Sequence, residues 1–227
     1  MIDDRILKII SEENLKKINN LKVLIVGIGG VGGYALEALV RSGVKNITII
    51  DYDKIDESNL NRQIISLLSN INEIKVIEAK KRMLDIRGDL NIKALDIFLT
   101  KENVNQTLDT LDFDYIIDAC DTVTVKLELI KFAQNHDKKI ITSLGTGNRF
   151  NPEELSITTL NKTYNDPLGK VLRKLVKDNK LNQKVTVLWS KELPVRTHDR
   201  TPGSMMFVPA SAGIMIASYI IRKEIQK

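Results

Sequence analysis

Five glycines in seven residues, Gly27-Ile-Gly29-Gly30-Val-Gly32-Gly33, follow directly on the apolar run over 21–26. Such a loop serves phosphate chemistry. Without side chains the backbone can close on a pyrophosphate, and a helix starting just after it adds N–H donors and partial positive charge. Gly27, Gly29, Gly30 and Gly32 are the candidate contacts. Asp51, 24 residues after Gly27, ends a second apolar run and suits the hydroxyls of a ribose. This much says nucleotide, and NAD(H) fits it as well as ATP.

The next stretch separates the two. Tyr52-Asp53-Lys54-Ile55-Asp56-Glu57-Ser58-Asn59-Leu60-Asn61-Arg62-Gln63 is followed by Lys75. Arg62 offers a bidentate fork and Lys75 a point charge, as a triphosphate requires. Asn59 and Gln63 can position those groups, and Asp53 joins Asp51 as a nucleotide-side acid. The composition of this stretch also suits a plain polar loop capping a helix over 73–87, with Lys75 on its solvated face. A third group, Asp118-Ala-Cys120-Asp121, ends a further apolar run. Asp121 there is placed to ligate Mg²⁺ through oxygen, with the metal bridging phosphates. It also suits the N-cap of a helix beginning near Thr122; the two roles are compatible.

The elements that carry these residues follow from hydrophobic period and breakers. Strands are expected over 21–26, 46–50, 91–96, 115–119 and 139–142, with helices over 34–40, 73–87 and 123–134. That alternation predicts an α/β fold, a Rossmann-like doubly wound and mostly parallel sheet. Beyond Gly147 the rhythm changes: strands over 155–160 and 184–189 flank a basic helix over 168–177, and the chain closes in a helix within 206–223. The expectation is a single domain over 1–227, with a nucleotide-binding core over 1–147 and a packed α+β extension over 148–227. The apolar stretch over 205–221 contains Pro209, Ser211, Gly213 and Ser218. It reads as a core helix and not a membrane span, which needs about 20 apolar residues.

With 43% apolar and 28% charged residues among 227, disorder is excluded as a class. The single cysteine, Cys120, excludes an internal disulfide and paired-cysteine zinc clamps. No charged-then-apolar leader opens the chain, so a reducing cytoplasm is the expected compartment. The net charge is +5, and from Lys162 to Arg200 ten Lys and Arg stand against four Asp and Glu. That excess suits a phosphate backbone, though a solvated helix face has the same composition.

The run from Val26 to Gln63, Lys75 twelve positions later, and the Asp-Ala-x-Asp element resemble the ATP-dependent adenylating enzymes of the ubiquitin-activating, MoeB and ThiF type. Within that group the chain resembles most the tRNA threonylcarbamoyladenosine dehydratase branch. Three segments carry that likeness: the opening Arg5-Ile-Leu-Lys-Ile-Ile-Ser-Glu-Glu-Asn-Leu, the element Asp166-Pro167-Leu168 ahead of the basic helix, and the closing Pro202-Gly203-Ser204-Met-Met-Phe207-Val208-Pro209-Ala-Ser-Ala-Gly213. Asn72 stands where the group has glycine, and Thr122 where it has asparagine. The resemblance implies ATP and Mg²⁺ as cofactors, with Gly29 and Asp51 on the nucleotide, Arg62, Gln63 and Lys75 on its phosphates, and Asp121 on the metal. Catalysis would then fall to Arg62, Lys75, Asp121 and, reaching in from the partner of a homodimer, Arg5.

The implied partner is tRNA carrying threonylcarbamoyladenosine, with room for a sulfur-relay partner protein; neither DNA nor a membrane is expected. The implied reaction is adenylation of the threonyl carboxylate followed by ring closure. Thioester transfer does not fit, because Cys120 lies between two aspartates at a strand end, where burial and negative charge blunt a thiol. Lys170, Arg173, Lys174 and Lys177 would face the tRNA. His136 reads as solvated, His198 as a loop residue and Trp189 as core. Two alternatives remain: an activator of a small ubiquitin-like sulfur-carrier protein, and a Rossmann-type nucleotide-binding regulatory module without catalysis.

Overall fold

The structure, a computed structural model, describes residues 2–195 and 201–226. Among these, seven strands form one sheet: β1 (Lys22–Val26), β2 (Asn46–Ile50), β3 (Asn91–Leu95), β4 (Tyr115–Asp118), β5 (Lys139–Ser143), β6 (Leu155–Thr159) and β7 (Thr186–Ser190). Their order is β3-β2-β1-β4-β5-β7-β6, and only β6 runs antiparallel, against β7. β1 and β4 are buried almost throughout. A central parallel strand is covered on both faces, and for that reason these stretches read as continuous apolar runs.

Seven α-helices cover the sheet: α1 (Glu12–Asn20), α2 (Gly32–Arg41), α3 (Lys75–Ile86), α4 (Val104–Asp109), α5 (Val123–Asn135), α6 (Pro167–Asp178) and α7 (Phe207–Ile225). Leu36, Leu39, Val76, Met83, Ile216 and Ile220 fill the core between β1 and one helical layer; Leu24, Ile116, Leu129 and Phe132 fill the other side. A third apolar cluster, with Leu144, Leu160, Leu172, Val176 and Trp189, lies under α6. α7 is buried along Val208, Ala212, Ile216 and Ile220 and packs tightly on α2. At Gly213 the two backbones meet: a Cβ there would overlap the carbonyl oxygen of Val31 and lie 2.7 Å from Ala35 N. Among the described residues no helix is long and apolar enough to cross a membrane.

Two helices go beyond the sequence expectation. α1 is capped by Ser11, which accepts from Asn14 N at 3.2 Å, and buries Leu15 and Ile18. α4 is too short for its period to stand out. α3 begins at Lys75, two residues later than expected, because 70–74 is a turn. There Asn72 has φ 71° and Glu73 N donates to Asn70 O at 3.2 Å. Strands β6 and β7 extend the same sheet, with β7 paired to β5.

Candidate active site at the strand ends

Strand order reverses between β1 and β4, and the crevice outside their carboxyl ends is where an open α/β sheet takes ligands. A cavity of about 700 Å³ opens there. The glycine loop forms its floor. Gly27 has φ 89°, and a Cβ on it would lie 2.7 Å from Ala119 O, so only glycine lets β1 turn this close to the end of β4. Gly27, Gly29 and Gly30 line the cavity. Gly32 does not; it sits behind the loop, against Gly27 O. Its α-carbon therefore packs the turn, and only its N–H, at the start of α2, is offered to an anion. No side chain caps α2 at Val31, which leaves the helix N–H groups for an anion. Pro209 of α7 backs Gly30, 3.2 Å from where a Cβ would stand.

Asp51 is buried, and its carboxylate organises the loop. It accepts from Ile28 N at 2.6 Å and from Asp53 N at 2.9 Å. Burial pushes its pKa up, against the pull of Lys75 and these two N–H groups. Lys75 is the first residue of α3 but does not face solvent, as the polar-loop reading would have it. It is 2% exposed, with its Nζ 2.9 Å from Asp53 Oδ2 and 3.9 Å from Asp51 Oδ1. The hydrogen bond from Lys75 N to Asp53 O and the bridge between Lys54 and Ile74 draw α3 inward.

Residues 57–63 form a capped turn. Asn59 Oδ1 accepts from Asp56 N, so its side chain braces the loop at the cavity edge. One terminal nitrogen of Arg62 donates to Ser58 O at 2.7 Å and Asn61 Oδ1 at 2.9 Å, aligning the guanidinium beside the cavity. Gln63 is buried, and its Oε1 has no hydrogen-bond partner. Phosphate oxygens only accept, so toward a phosphate the amide would present its Nε2, which lies 3.7 Å from where a Cβ on Gly29 would stand.

Asp121 and Asp118 have parted ways. Asp121 is exposed and lines the cavity; its recorded side-chain bond is from Thr122 Oγ1 at 3.3 Å. Thr122, without a side-chain cap, stands at the start of α5, so the N-cap role falls away. Asp118 is fully buried and pairs at 3.0 Å with Lys126, which is fully buried too and also donates to Ser143 O at 2.9 Å. The sequence reading passed over Lys126; its signal was one cation inside the apolar helix stretch Val-Thr-Val-Lys-Leu-Glu-Leu-Ile. Cys120 Sγ donates to Asp118 Oδ1 at 3.1 Å, and burial with that charge pushes the thiol well up, out of the nucleophile range. Among the described residues no three His, Cys, Asp or Glu form a metal cage. A cation at Asp121 would therefore share its shell with ligand oxygens, as hard Mg²⁺ does with phosphates.

The opposite wall was also missing from the sequence reading. Gly145, Thr146 and Gly147 after β5, with Leu168 of α6, Pro202 and Ser204, close that side. Arg5 is exposed and is not brought to the cavity of its own chain. Its neighbour Asp3 pairs with Arg87, ahead of β3 and so at the far end of the sheet. His136 is exposed, as expected, with its ring stacked on Phe132 at 4.0 Å. Trp189 is buried against Tyr164, as core. His198, with Arg196 and Arg200, lies outside the described residues.

Residues 3–223 match the model of the ThiF family. The chain belongs to the ThiF family. It is 34% identical over 229 residues to the tRNA threonylcarbamoyladenosine dehydratase of Bacillus subtilis (strain 168), covering 93% of this chain and 90% of that one. The enzyme of the same name from Escherichia coli (strain K12) is 34% identical over 172 residues, 76% of this chain and 64% of that one. Among solved structures, the E. coli tRNA N6-threonylcarbamoyladenosine dehydratase in complex with AMP superposes with a TM-score of 0.91 at 31% identity, covering 97% of this chain and 92% of the other. The same E. coli protein in complex with ATP gives 0.90. The fold is thus the ThiF fold across almost the whole chain.

Proposed function

We propose that this ThiF-family chain is an ATP-dependent dehydratase that closes the side chain of threonylcarbamoyladenosine in tRNA into a ring. The observation that carries the reading is the cavity itself. It brings together a glycine loop, Arg62, Gln63, the buried Lys75 and an open Asp121, and the one cysteine beside them is a thiol pushed up by burial and Asp118. The threonyl carboxylate attacks the α-phosphorus of ATP and pyrophosphate leaves. The neighbouring carbamoyl group then attacks the activated carbonyl carbon, a proton is lost, and AMP departs with one carboxylate oxygen. Water is thereby removed from the nucleoside without a covalent enzyme intermediate.

In this scheme Asp51 holds the ribose hydroxyls. Arg62, Gln63 and Lys75 hold the phosphates and offset the charge gathering on pyrophosphate. Magnesium would be held by Asp121 and phosphate oxygens, supplying Lewis-acid neutralisation there. The exposed face of α6, with Lys170, Lys174 and Lys177 and the half-buried Arg173, receives the tRNA backbone. Arg5 serves the cavity of a second copy in a homodimer. The deciding experiment incubates the chain with ATP, Mg²⁺ and the modified tRNA, then digests to nucleosides for mass spectrometry. The nucleoside should lose the mass of one water, with heavy oxygen placed in the threonyl carboxylate appearing in AMP. An unchanged nucleoside, with pyrophosphate exchange only when a carrier protein is added, would replace this reading by carrier activation.

A further inference from the structure

Of Asp166-Pro167-Leu168 only Leu168 lines the cavity, and neither Asp166 nor Arg149 does. Yet both are 3% exposed, and Arg149 Nη2 lies 3.2 Å from Asp166 Oδ2. A buried carboxylate is tolerated only where its oxygens are partnered. Asp166 Oδ1 accepts from Gly169 N at 2.7 Å, which caps α6. Its Oδ2 accepts from Gly145 N at 3.2 Å as well as from the guanidinium. Arg149 in turn donates to Ser190 O at 3.1 Å, to Glu192 O and to Asn165 O at 3.3 Å. One carboxylate thus joins the first turn of α6 to Gly145, the second residue of the loop after β5. That loop and Leu168 line the cavity on the β5 side, across β1 and β4 from Asp51.

We propose that Asp166, held by Arg149, is a positioning residue that locks the wall over 145–147 to the N-terminus of α6. One rigid piece then carries both the basic face of the helix and the surface against which the threonylcarbamoyl group is held. The inference rests on the tRNA reading above. Charge-assisted hydrogen bonds suit such a joint, since they are directional and strong. A wall displaced by about 1 Å costs on the order of a hundredfold in rate without weakening binding elsewhere.

The test is Asp166→Asn. Asparagine keeps a carbonyl oxygen for Gly169 N and so keeps the cap. Its amide, however, turns a donor toward Gly145 N and Arg149. Melting temperature, ATP affinity, tRNA affinity and the single-turnover rate of ring closure are measured together. ATP and tRNA affinities should stay within about twofold, while the single-turnover rate falls about ten- to a hundredfold. If the asparagine variant does not fold, Asp166→Ser keeps the cap and removes the arms to Gly145 and Arg149, with the same expectation. An unchanged rate in a folded variant overturns the inference. So does a parallel loss of both affinities and rate, which marks general loosening. A wild-type chain that makes no cyclic nucleoside removes the functional reading and this inference together. Wild-type turnover beside an unimpaired D166N removes the inference alone.

Discussion

Lys75 and Asp121 show what burial does to two residues that look alike in sequence, each a polar residue at the start of a helix. Lys75 is enclosed and pinned by Asp53, so its charge is fixed before any phosphate arrives. Asp121 is open, and its oxygens are free to join a cation's shell. Asp121→Asn should therefore lower turnover by at least about a hundredfold while leaving the melting temperature unchanged, since an exposed carboxylate contributes little to stability. Cys120→Ala gives the opposite contrast: turnover within about threefold of wild type, because a thiol held in its protonated form is no nucleophile. A C120A variant that accumulated adenylate without product would contradict the mechanism. Both the cation and the aspartate were legible from type and spacing. The burial of Lys75 and the Lys126 pair beneath Asp118 were not, because each depends on how separate elements pack together.

At the scale of elements, α2 is clamped on both sides. Glu37 accepts from Arg41 Nε and from Arg82 Nε of α3, each at 2.8 Å. Burial pushes this carboxyl up, but the two guanidinium groups outweigh it and hold its pKa below the ordinary glutamate value of 4.5. A depressed folded pKa means that the contribution to stability is present above pH 4.5 and is lost as pH falls through the folded value. Acid melting curves should show this: wild type loses stability below pH 4.5 more steeply than Glu37→Gln. Equal slopes would remove Glu37 from the acid response. On the other side, Gly213→Ala forces α7 away from Val31, at a cost of roughly 1–3 kcal/mol. The melting temperature should drop, and ATP affinity with it, because the same helix carries Pro209 behind Gly30. Retained affinity in a destabilised variant would show that α7 does not set the loop.

For the molecule as a whole, the sheet separates two surfaces. The cavity lies at the carboxyl ends of the strands and Arg5 lies outside it, so a catalytic Arg5 has to act on a second copy. Arg5→Ala and Asp121→Asn, each inactive alone, should regain up to about a quarter of wild-type activity per subunit when mixed and allowed to exchange, as random pairing restores one intact site per mixed dimer. No recovery after verified exchange would place Arg5 elsewhere. Reversing charge at Arg173 and Lys174 should weaken tRNA binding and flatten its salt slope while ATP affinity holds. An unchanged slope would move the tRNA off α6.

Local chemistry settled much of this protein in advance. The strand, glycine turn, helix and acid around 21–51, and the cation and amide spacing up to Lys75, are short-range patterns, and they declare a nucleotide site whatever surrounds them. The basic helix over 167–178 and the doubly wound sheet were likewise written in period and composition. Tertiary structure alone decided which polar groups face the cavity and which face each other. Asp118 and Asp121 stand three residues apart, yet one is neutralised by Lys126 from the next helix and the other is open. Asp166 meets Gly145 and Arg149 only because β7 inserts beside β5 and brings α6 against the loop after it. Those pairings are set by sheet order and packing, which no local pattern encodes.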